Sequence, residues 1–265
     1  MRGRAYIGTS GWTYASWRND LYQGVPRRRW LAHAASQFTA LEVNGSFYSQ
    51  IRPETYRVWA DAVPDDFRFS VKGHRFITHY KQLRDVGESI DRVLTQAAPL
   101  GHKLACVVWQ LPSRSTLDLD RLDGFLIELG RWSEVRHVLE LRHRSWFIEP
   151  VAQRLRQARV ASCLSDAPDF PMWSQVTTDV VYVRLHGHTR KYASSYSTSH
   201  LRRWAARTER WLSEGRDVHV YFDNDAEGHA VRNARTMLAL VRKQAEGARL
   251  ARAEGESVGQ RHLSG

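Results

Sequence analysis

Acidic and basic side chains stand where the short apolar runs of this sequence end, which is where the parallel sheets of α/β enzymes place reactive groups. Four acids, three bases and one histidine occupy such positions: Glu42, Glu140, Asp166, Asp223, Lys72, Arg142, Arg184 and His186. An isolated charge in an apolar setting carries a large desolvation penalty. We therefore expect these groups to be paired, hydrated or available to a ligand.

The residue types indicate two chemical roles. Carboxylates and imidazoles transfer protons, and the candidates for catalysis are Glu42, Glu140, Asp166 and His186. Cationic side chains hold anions, and the candidates for that role are Lys72, Arg142 and Arg184. The same loops carry residues that can hydrogen-bond or stack on a planar or sugar-like ligand. These further substrate-binding candidates are Ser10, Trp12, Asn44, Tyr48, Gln110, Trp146, Tyr192, Tyr196, Asp223 and Asn224.

Two more specific chemistries are less favoured. Glu42 and Glu140 could form the carboxylate pair of a glycoside hydrolase, but Lys72 and Arg142 nearby favour ion pairing over proton transfer. Lys72 would suit a Schiff-base mechanism if it were desolvated. A neighbouring Glu42 is expected to keep Lys72 charged, which favours an anion-binding or ion-paired role.

Histidines and acids also raise the question of a metal. His186 and His188 share strand parity, and His79 stands in another loop. Gly187 is expected to end the strand between them, so the pattern gives no secure set of ligands. No metal site is predicted, and no cofactor is indicated.

Eight short apolar runs are predicted to be the strands that position these residues. They are Ala5–Gly8, Thr39–Val43, Phe67–Val71, Leu104–Trp109, Val138–Leu141, Ser162–Ser165, Val180–Leu185 and Val218–Phe222. Helical patterns separate them, so 265 residues favour the α/β class and a single (β/α)₈ TIM barrel with some irregularity. A doubly wound sheet would need a GxGxxG loop, which the segment Gly8–Trp12 does not contain.

Alternation along each strand predicts which side chains enter the barrel, because every second residue faces the same side. In the second strand Leu41 suits the outer, helix-covered face, so Glu42 points inward. In the sixth strand the same reasoning sends Leu164 and Asp166 inward.

Adjacent strands should then pair some of the charges. Lys72 lies one strand from Glu42, and Asp223 lies one strand from Arg184, so both are expected ion pairs. A structural plug of ion pairs across the barrel mouth is the alternative to a functional pocket. Perturbed ionisable groups gather at functional sites, which favours the pocket.

Composition restricts the class of protein. Hydrophobic residues make up 42% and charged residues 25% of the chain, which is ordinary for a soluble protein. No apolar stretch has the length of a membrane span or of a signal peptide, and the two cysteines form no CxxC motif, so we expect a cytoplasmic protein with buried thiols.

A net charge of +11 favours anionic partners, including nucleic acid. Part of that charge lies in residues 242–265, which we expect to form a flexible basic tail after a barrel domain of residues 1–241.

Several longer segments resemble the YecE-like family, domain of unknown function family 72. The matching segments are GTSGWTYASW (Gly8–Trp17), LEVNGSFY (Leu41–Tyr48), SVKG (Ser70–Gly73), VVWQLP (Val107–Pro112), ELRHRSW (Glu140–Trp146), YVRLHG (Tyr182–Gly187) and YFDNDAEGHAVRNA (Tyr221–Ala234). The resemblance implies a TIM barrel and implies no agreed activity or cofactor. Asp223 stands where the family more often has asparagine, which adds a negative charge.

The sequence thus favours a cytoplasmic barrel enzyme that acts on a small anionic or nucleotide-like substrate, with hydrolase or lyase chemistry preferred. One alternative is a nucleic-acid-binding or metal-dependent nuclease-like barrel, motivated by the charge of +11 and the aromatic loop residues. The other is a non-catalytic scaffold with a structural ion-pair plug. No membrane partner is expected, and the sequence predicts no oligomeric state.

Overall fold

The strands form a closed parallel barrel. The computed structural model describes residues 2–261, and the side chains of residues 2–247. Within these limits the strands are β1 (Ala5–Ser10), β2 (Ala40–Val43), β3 (Arg68–Lys72), β4 (Leu104–Gln110), β5 (His137–Glu140), β6 (Ala161–Asp166), β7 (Val180–Leu185) and β8 (Asp217–Phe222). They follow chain order around the barrel, and β8 pairs in parallel with β1 to close it. The predicted (β/α)₈ barrel is confirmed.

Helices cover the outside of the barrel. They are α1 (Trp30–Gln37), α2 (Gly45–Tyr48), α3 (Pro53–Asp61), α4 (Gly87–Ala97), α5 (Leu119–Gly130), α6 (Glu149–Gln157), α7 (Thr198–Ser213) and α8 (His229–Arg261). Both α2 and α3 lie between β2 and β3, whereas residues 167–179, between β6 and β7, contain no helix. The irregularity of the barrel lies in these two connections.

Apolar side chains fill the lower part of the barrel and surround it. The inner group consists of Tyr6, Ala40, Cys106, Val108, Val138, Ala161, Cys163, Val180, Tyr182 and Tyr221. A larger outer group packs between the strands and the helices. Both cysteines are buried and free, as expected. Polar residues occupy the remaining part of the interior, at the C-terminal ends of the strands, where barrel enzymes place their active sites.

The orientation expected for β6 is wrong. Leu164 packs in the outer group, whereas Cys163 faces inward and the Ser165 hydroxyl donates to a carboxylate inside the barrel. Asp166 therefore faces outward, where its carboxylate accepts a hydrogen bond of 3.3 Å from the Trp204 indole. Small residues flank the single leucine of β6, so alternation of polarity could not fix its orientation. The bulky leucine fills the space between sheet and helices.

The segment expected to be a flexible tail begins inside α8. The predicted domain boundary at residue 241 lies within this helix, which continues to Arg261, and residues 262–265 lie outside the described residues. The flexibility of residues 242–265 and the domain limits stay predictions. Over the described part of the chain, no helix combines the length and apolar character needed to cross a membrane.

Candidate active site at the C-terminal ends of the strands

Arg184, at the end of β7, is the centre of an ion-pair network across the barrel. Its side chain is fully buried. Its guanidinium lies 2.7 Å from Glu42 of β2, 2.9 Å from Glu140 of β5 and 3.1 Å from Asp223, which follows β8. Burial alone would lower the pKa of Arg184, but the three carboxylates hold it well above its usual value. The expected Arg184–Asp223 pair is confirmed.

Glu42 has a donor for each of its carboxylate oxygens. The Tyr182 hydroxyl donates to Oε2 at 2.6 Å, and the Ser10 hydroxyl and the Arg184 guanidinium donate to Oε1. Ser10 in turn accepts hydrogen bonds from Arg184 and from the Asn44 amide, at 3.0 and 3.1 Å. Glu42 is fully buried within this set, so its surroundings match those of a structural carboxylate.

Glu140 is held in its ionised form. Arg142 donates to its Oε1 at 2.8 Å, Arg184 donates to its Oε2 at 2.9 Å, and the Ser165 hydroxyl donates to Oε1 at 2.9 Å. Burial raises the pKa of this carboxyl, but the two guanidinium groups outweigh burial and hold the pKa well below its usual range. Glu140 is therefore ionised at neutral pH and has no proton to donate.

His186 lies between two carboxylates. Its Nε2 is 3.4 Å from Glu140 and its Nδ1 is 2.9 Å from Asp223. Neither ring nitrogen has a partner with hydrogen-bonding geometry among the described residues, and the ring is fully buried against Phe170 and Tyr192. Burial raises the pKa of Asp223, but Arg184 and His186 lower it by a larger amount, so the pKa lies below its ordinary value.

Lys72, the last residue of β3, does not form the expected pair with Glu42. No carboxylate oxygen of the described residues lies within 4.0 Å of its ammonium, which instead sits 4.1 Å from the centre of the Phe47 ring. Arg184 reaches across the barrel and occupies the Glu42 oxygens, which explains the difference. Burial and the nearby Arg184 lower the pKa of Lys72 to about 8, against the opposing effect of the acids.

A ligand can reach only the upper layer of this site. Glu42, Glu140, Arg184 and His186 are 0% exposed, whereas Lys72 and Asp223 are each 7% exposed. The other predicted residues in this upper layer are Asn44, Gln110, Arg142 and Tyr192. The Oδ1 atom of Asn44 has no partner among the described residues. The network around Arg184 thus forms a sealed base, and the residues above it keep only a small exposed area.

Several predicted substrate-binding residues make contacts within the protein. The Trp146 indole donates to the Ser115 carbonyl at 2.7 Å, and Trp12 packs against Trp59. The Tyr196 hydroxyl donates to the Asp166 carbonyl at 3.2 Å. All three predicted side chains are buried.

Asn224 and Tyr48 complete the set of predicted residues. The Asn224 amide donates to the Ser194 carbonyl and to Asn233, each at 2.9 Å, which holds the β7–α7 loop. Tyr48 is 63% exposed on the rim, next to Arg75. Asn224 thus stabilises the β7–α7 loop beside the mouth, and Tyr48 lies on the exposed rim outside it.

Sequence reasoning missed other members of the site. Tyr182 faces into the barrel and donates to Glu42, a bond that depends on contacts across the barrel. Ser165 was missed because β6 was placed in the wrong orientation. His79 packs against the same Phe47 ring as Lys72, with 5.1 Å between the centres of the histidine and phenylalanine rings. All three residues lie in or next to loops, so strand alternation could not predict this contact.

Asp225, just after β8, is a further titratable group near the mouth. Burial raises its pKa to about 6, and the charge of Asp223 adds to this effect. Burial likewise raises the pKa of Tyr14, whose hydroxyl donates to the Ser10 carbonyl at 2.9 Å. Among the described residues, no group of three or more histidine, cysteine or acidic side chains is arranged to hold a metal ion.

Similar proteins support the fold. The UPF0759 protein YunF of Bacillus subtilis is 23% identical over 89% of this chain and 94% of its own length. The UPF0759 protein YecE of Escherichia coli K12 is 29% identical over 54% of this chain, which spans 50% of that relative. The crystal structure of a DUF72 family protein from Thermotoga maritima superposes with a TM-score of 0.79 and 24% identity, over 92% of this chain and 99% of that one.

The family assignment follows from a match along most of the chain. The family model described as "Protein of unknown function DUF72" matches residues 6–257. The closed eight-stranded barrel agrees with the fold that the sequence resemblance implied. This chain therefore belongs to the DUF72 family, whose function is unknown.

Proposed function

We propose that this protein is a barrel enzyme whose mouth binds a small anionic or nucleotide-like substrate through Lys72 and Arg142. One observation carries the proposal. The Lys72 side chain is 7% exposed at the mouth, and no carboxylate oxygen of the described residues lies within 4.0 Å of its ammonium. A buried cation without a counter-ion is unfavourable unless a ligand supplies the missing charge.

The acids that would otherwise neutralise Lys72 are already engaged. Arg184 binds Glu42, Glu140 and Asp223, and Arg142 shares Glu140 at 2.7 Å. Arg142 is 8% exposed and stacks over a phenylalanine ring, so it can add a second cationic group at the mouth. An anion between these two cations would interact with both in a partly desolvated setting.

Asp223 and Asp225 give the opposite side of the mouth a negative character. Asp223 is ionised, since its pKa lies below the ordinary value through Arg184 and His186 despite burial. The favoured substrate therefore has an anionic group facing Lys72 and a hydroxyl or amino group facing the acids. This division of charge agrees with the four acids and three bases predicted at the strand ends.

Two groups near the mouth are suited to proton transfer at neutral pH. The pKa of Asp225 is raised to about 6 by burial and by Asp223, and that of Lys72 is lowered to about 8 by burial and by Arg184. Acid–base catalysis is most effective when pKa values lie near the working pH. We assign positioning roles to Glu42, Glu140 and His186, since their full burial separates them from a substrate.

Calorimetric titration with oxalate, inorganic phosphate and a nucleoside monophosphate tests the proposal. A charge-assisted hydrogen bond contributes about 1.5–3 kcal/mol, or roughly a 10- to 100-fold change in affinity. Lys72→Met and Arg142→Met should each weaken binding by about tenfold or more. The matched controls are Lys81→Met and Arg144→Met, because both side chains are exposed. Absence of binding by the unaltered protein, or equal losses in the controls, would contradict the proposal.

Nucleic-acid binding at the rim is the second candidate function. The Arg75 guanidinium lies 5.6 Å from the Tyr48 ring and 5.7 Å from the Tyr80 ring, and these tyrosines are 63% and 66% exposed. Exposed aromatic rings next to arginine are suited to stacking with single-stranded bases. With a net charge of +11, binding of an oligonucleotide should weaken steeply with salt. No binding at low salt would exclude this candidate.

A further inference from the structure

We propose that Lys72 acts as a nucleophile and forms an imine with the carbonyl carbon of a small anionic aldehyde or ketone, such as a 2-oxo acid. This inference rests on the proposed function, because the anionic group of the substrate would bring its carbonyl to the ammonium side of the mouth. It reverses the expectation from sequence, in which a pair with Glu42 keeps Lys72 charged and unreactive.

Two other lysines have polar partners, and their surroundings differ from those of Lys72. Lys103 donates to backbone carbonyls at 2.8 and 2.9 Å, and Lys191 lies 2.7 Å from Asp169. Among the described residues Lys72 has no carboxylate within 4.0 Å, and its ammonium lies 4.1 Å from the centre of the Phe47 ring. A ring face holds a cation less firmly than a carboxylate does, so Lys72 can release its proton more easily.

The backbone of Lys72 is fixed, which gives its side chain a defined position. The Lys72 carbonyl accepts a hydrogen bond of 2.6 Å from the Ser46 hydroxyl. The next amide, of Gly73, donates to the Val108 carbonyl at 2.9 Å. A Cβ atom at Gly73 would lie 2.2 Å from the Trp109 ring, so the glycine allows the strand end to pack closely there. Reactive groups held on strands are positioned more precisely than those on loops.

Arg184 helps to keep Lys72 available for reaction. It occupies the carboxylates of Glu42, Glu140 and Asp223, and its charge, together with burial, lowers the pKa of Lys72 to about 8. Roughly a tenth of the Lys72 side chains are then neutral amines at pH 7. The activation of a lysine by desolvation and by a neighbouring cation is a known route to imine chemistry.

The proposed step needs no oxidant or reductant. The neutral amine attacks the carbonyl carbon, and a C–N bond forms as the oxygen takes up a proton and the nitrogen loses one. The resulting hydroxyl group takes up a further proton and leaves as water as the C–O bond breaks. The nitrogen lone pair forms the C=N bond, which gives a protonated imine. The imine nitrogen can keep its proton or release it.

His79 adds no positive charge beside Lys72 at neutral pH. Its ring and the Lys72 ammonium both lie on Phe47. Burial and the charges of Lys72 and Arg142 lower the pKa of His79 to about 4, so its imidazole is neutral at pH 7. With a pKa this low His79 is a weak base, and solvent at the mouth would take up and supply the protons of the step.

Reductive trapping tests the inference. The protein is incubated with glyoxylate or pyruvate and cyanoborohydride, and peptide mass spectrometry then locates the stable secondary amine. The chain has five lysines, Lys72, Lys81, Lys103, Lys191 and Lys243, so each site and the N-terminus can be resolved. We expect label at Lys72 at least tenfold faster than at Lys81. Label spread evenly over the lysines would overturn the inference.

Non-reactive analogues separate this inference from the proposed function. Oxalate and glycolate carry the anionic group without a reactive carbonyl. If they bind in calorimetry while Lys72 is not trapped, the binding site stands and the imine is wrong. If neither binding nor trapping is observed, both are wrong. Lys72→Met should abolish the trapped product, and Lys81→Met should retain it, with thermal unfolding used to confirm that both variants fold.

Discussion

Replacing Arg184 with methionine tests whether the sealed base of the site is a structural platform. Methionine removes the guanidinium from Glu42, Glu140 and Asp223 and leaves a side chain of similar length. Loss of one partner from a buried ion pair costs about 3–5 kcal/mol. Tyr182 and Ser165 still donate to Glu42 and Glu140, so we expect a loss in this range rather than a multiple of it.

The pH dependence of this loss has a defined sign. Arg184 is one of the groups that hold the pKa values of Glu140 and Asp223 below their ordinary values of 4.5 and 3.8. Stability from such carboxylates is present above their unfolded pKa and is lost as pH falls through the folded pKa. Arg184→Met removes part of this contribution, so its deficit should stay full from pH 7 down to about 5 and shrink as pH falls below about 4.

Urea unfolding at pH 7 and at about pH 3 measures both effects. Arg144→Met, which alters an exposed arginine four residues beyond β5, should change the free energy of unfolding by less than about 0.5 kcal/mol. If Arg184→Met also remains within about 1 kcal/mol of the unaltered protein, the ion-pair network does not stabilise the barrel. The division into a structural base and a ligand layer would then be refuted.

Three further predictions concern the upper layer and its support. Lys72→Met should leave the free energy of unfolding unchanged or raise it by about 1 kcal/mol in urea titrations, because it removes an uncompensated buried cation. Gly73→Ala should cost about 1–3 kcal/mol through overlap with an indole ring, whereas Gly124→Ala, which meets no atom within 4 Å, should be neutral or stabilising in the same titrations. Asp223→Asn should lower the pKa values of Lys72 and Asp225, because Asp223 raises both. NMR titration checks this, and an upward shift of either group would contradict it.

The barrel could be derived from sequence because its signals are local. Each strand is a short apolar run, and side-chain alternation correctly places Glu42 inside the barrel. Two-residue periodicity is a property of the strand itself. It failed for β6, where the residues on both sides of Leu164 are small, and orientation was decided by packing against the helices.

The pairing of charges could not be derived in the same way. Adjacent strands suggested that Lys72 pairs with Glu42, but the long side chain of Arg184 crosses the barrel from β7 and takes the Glu42 oxygens. Such contacts depend on side-chain reach and on the closure of the barrel. Trp12 and Trp146 illustrate the same limit, because a loop position does not reveal whether an aromatic ring faces a ligand or the core.

The most direct test of the account is the pKa of Lys72 itself. NMR titration of the protein with isotope-labelled lysine resolves five side chains, and Lys72→Met identifies the relevant signal. The account predicts a pKa of about 8, displaced upward when oxalate binds, because an anion favours the charged ammonium. A pKa above about 10 that is unaffected by oxalate would mean that Lys72 is an ordinary paired or solvated lysine and would contradict the account.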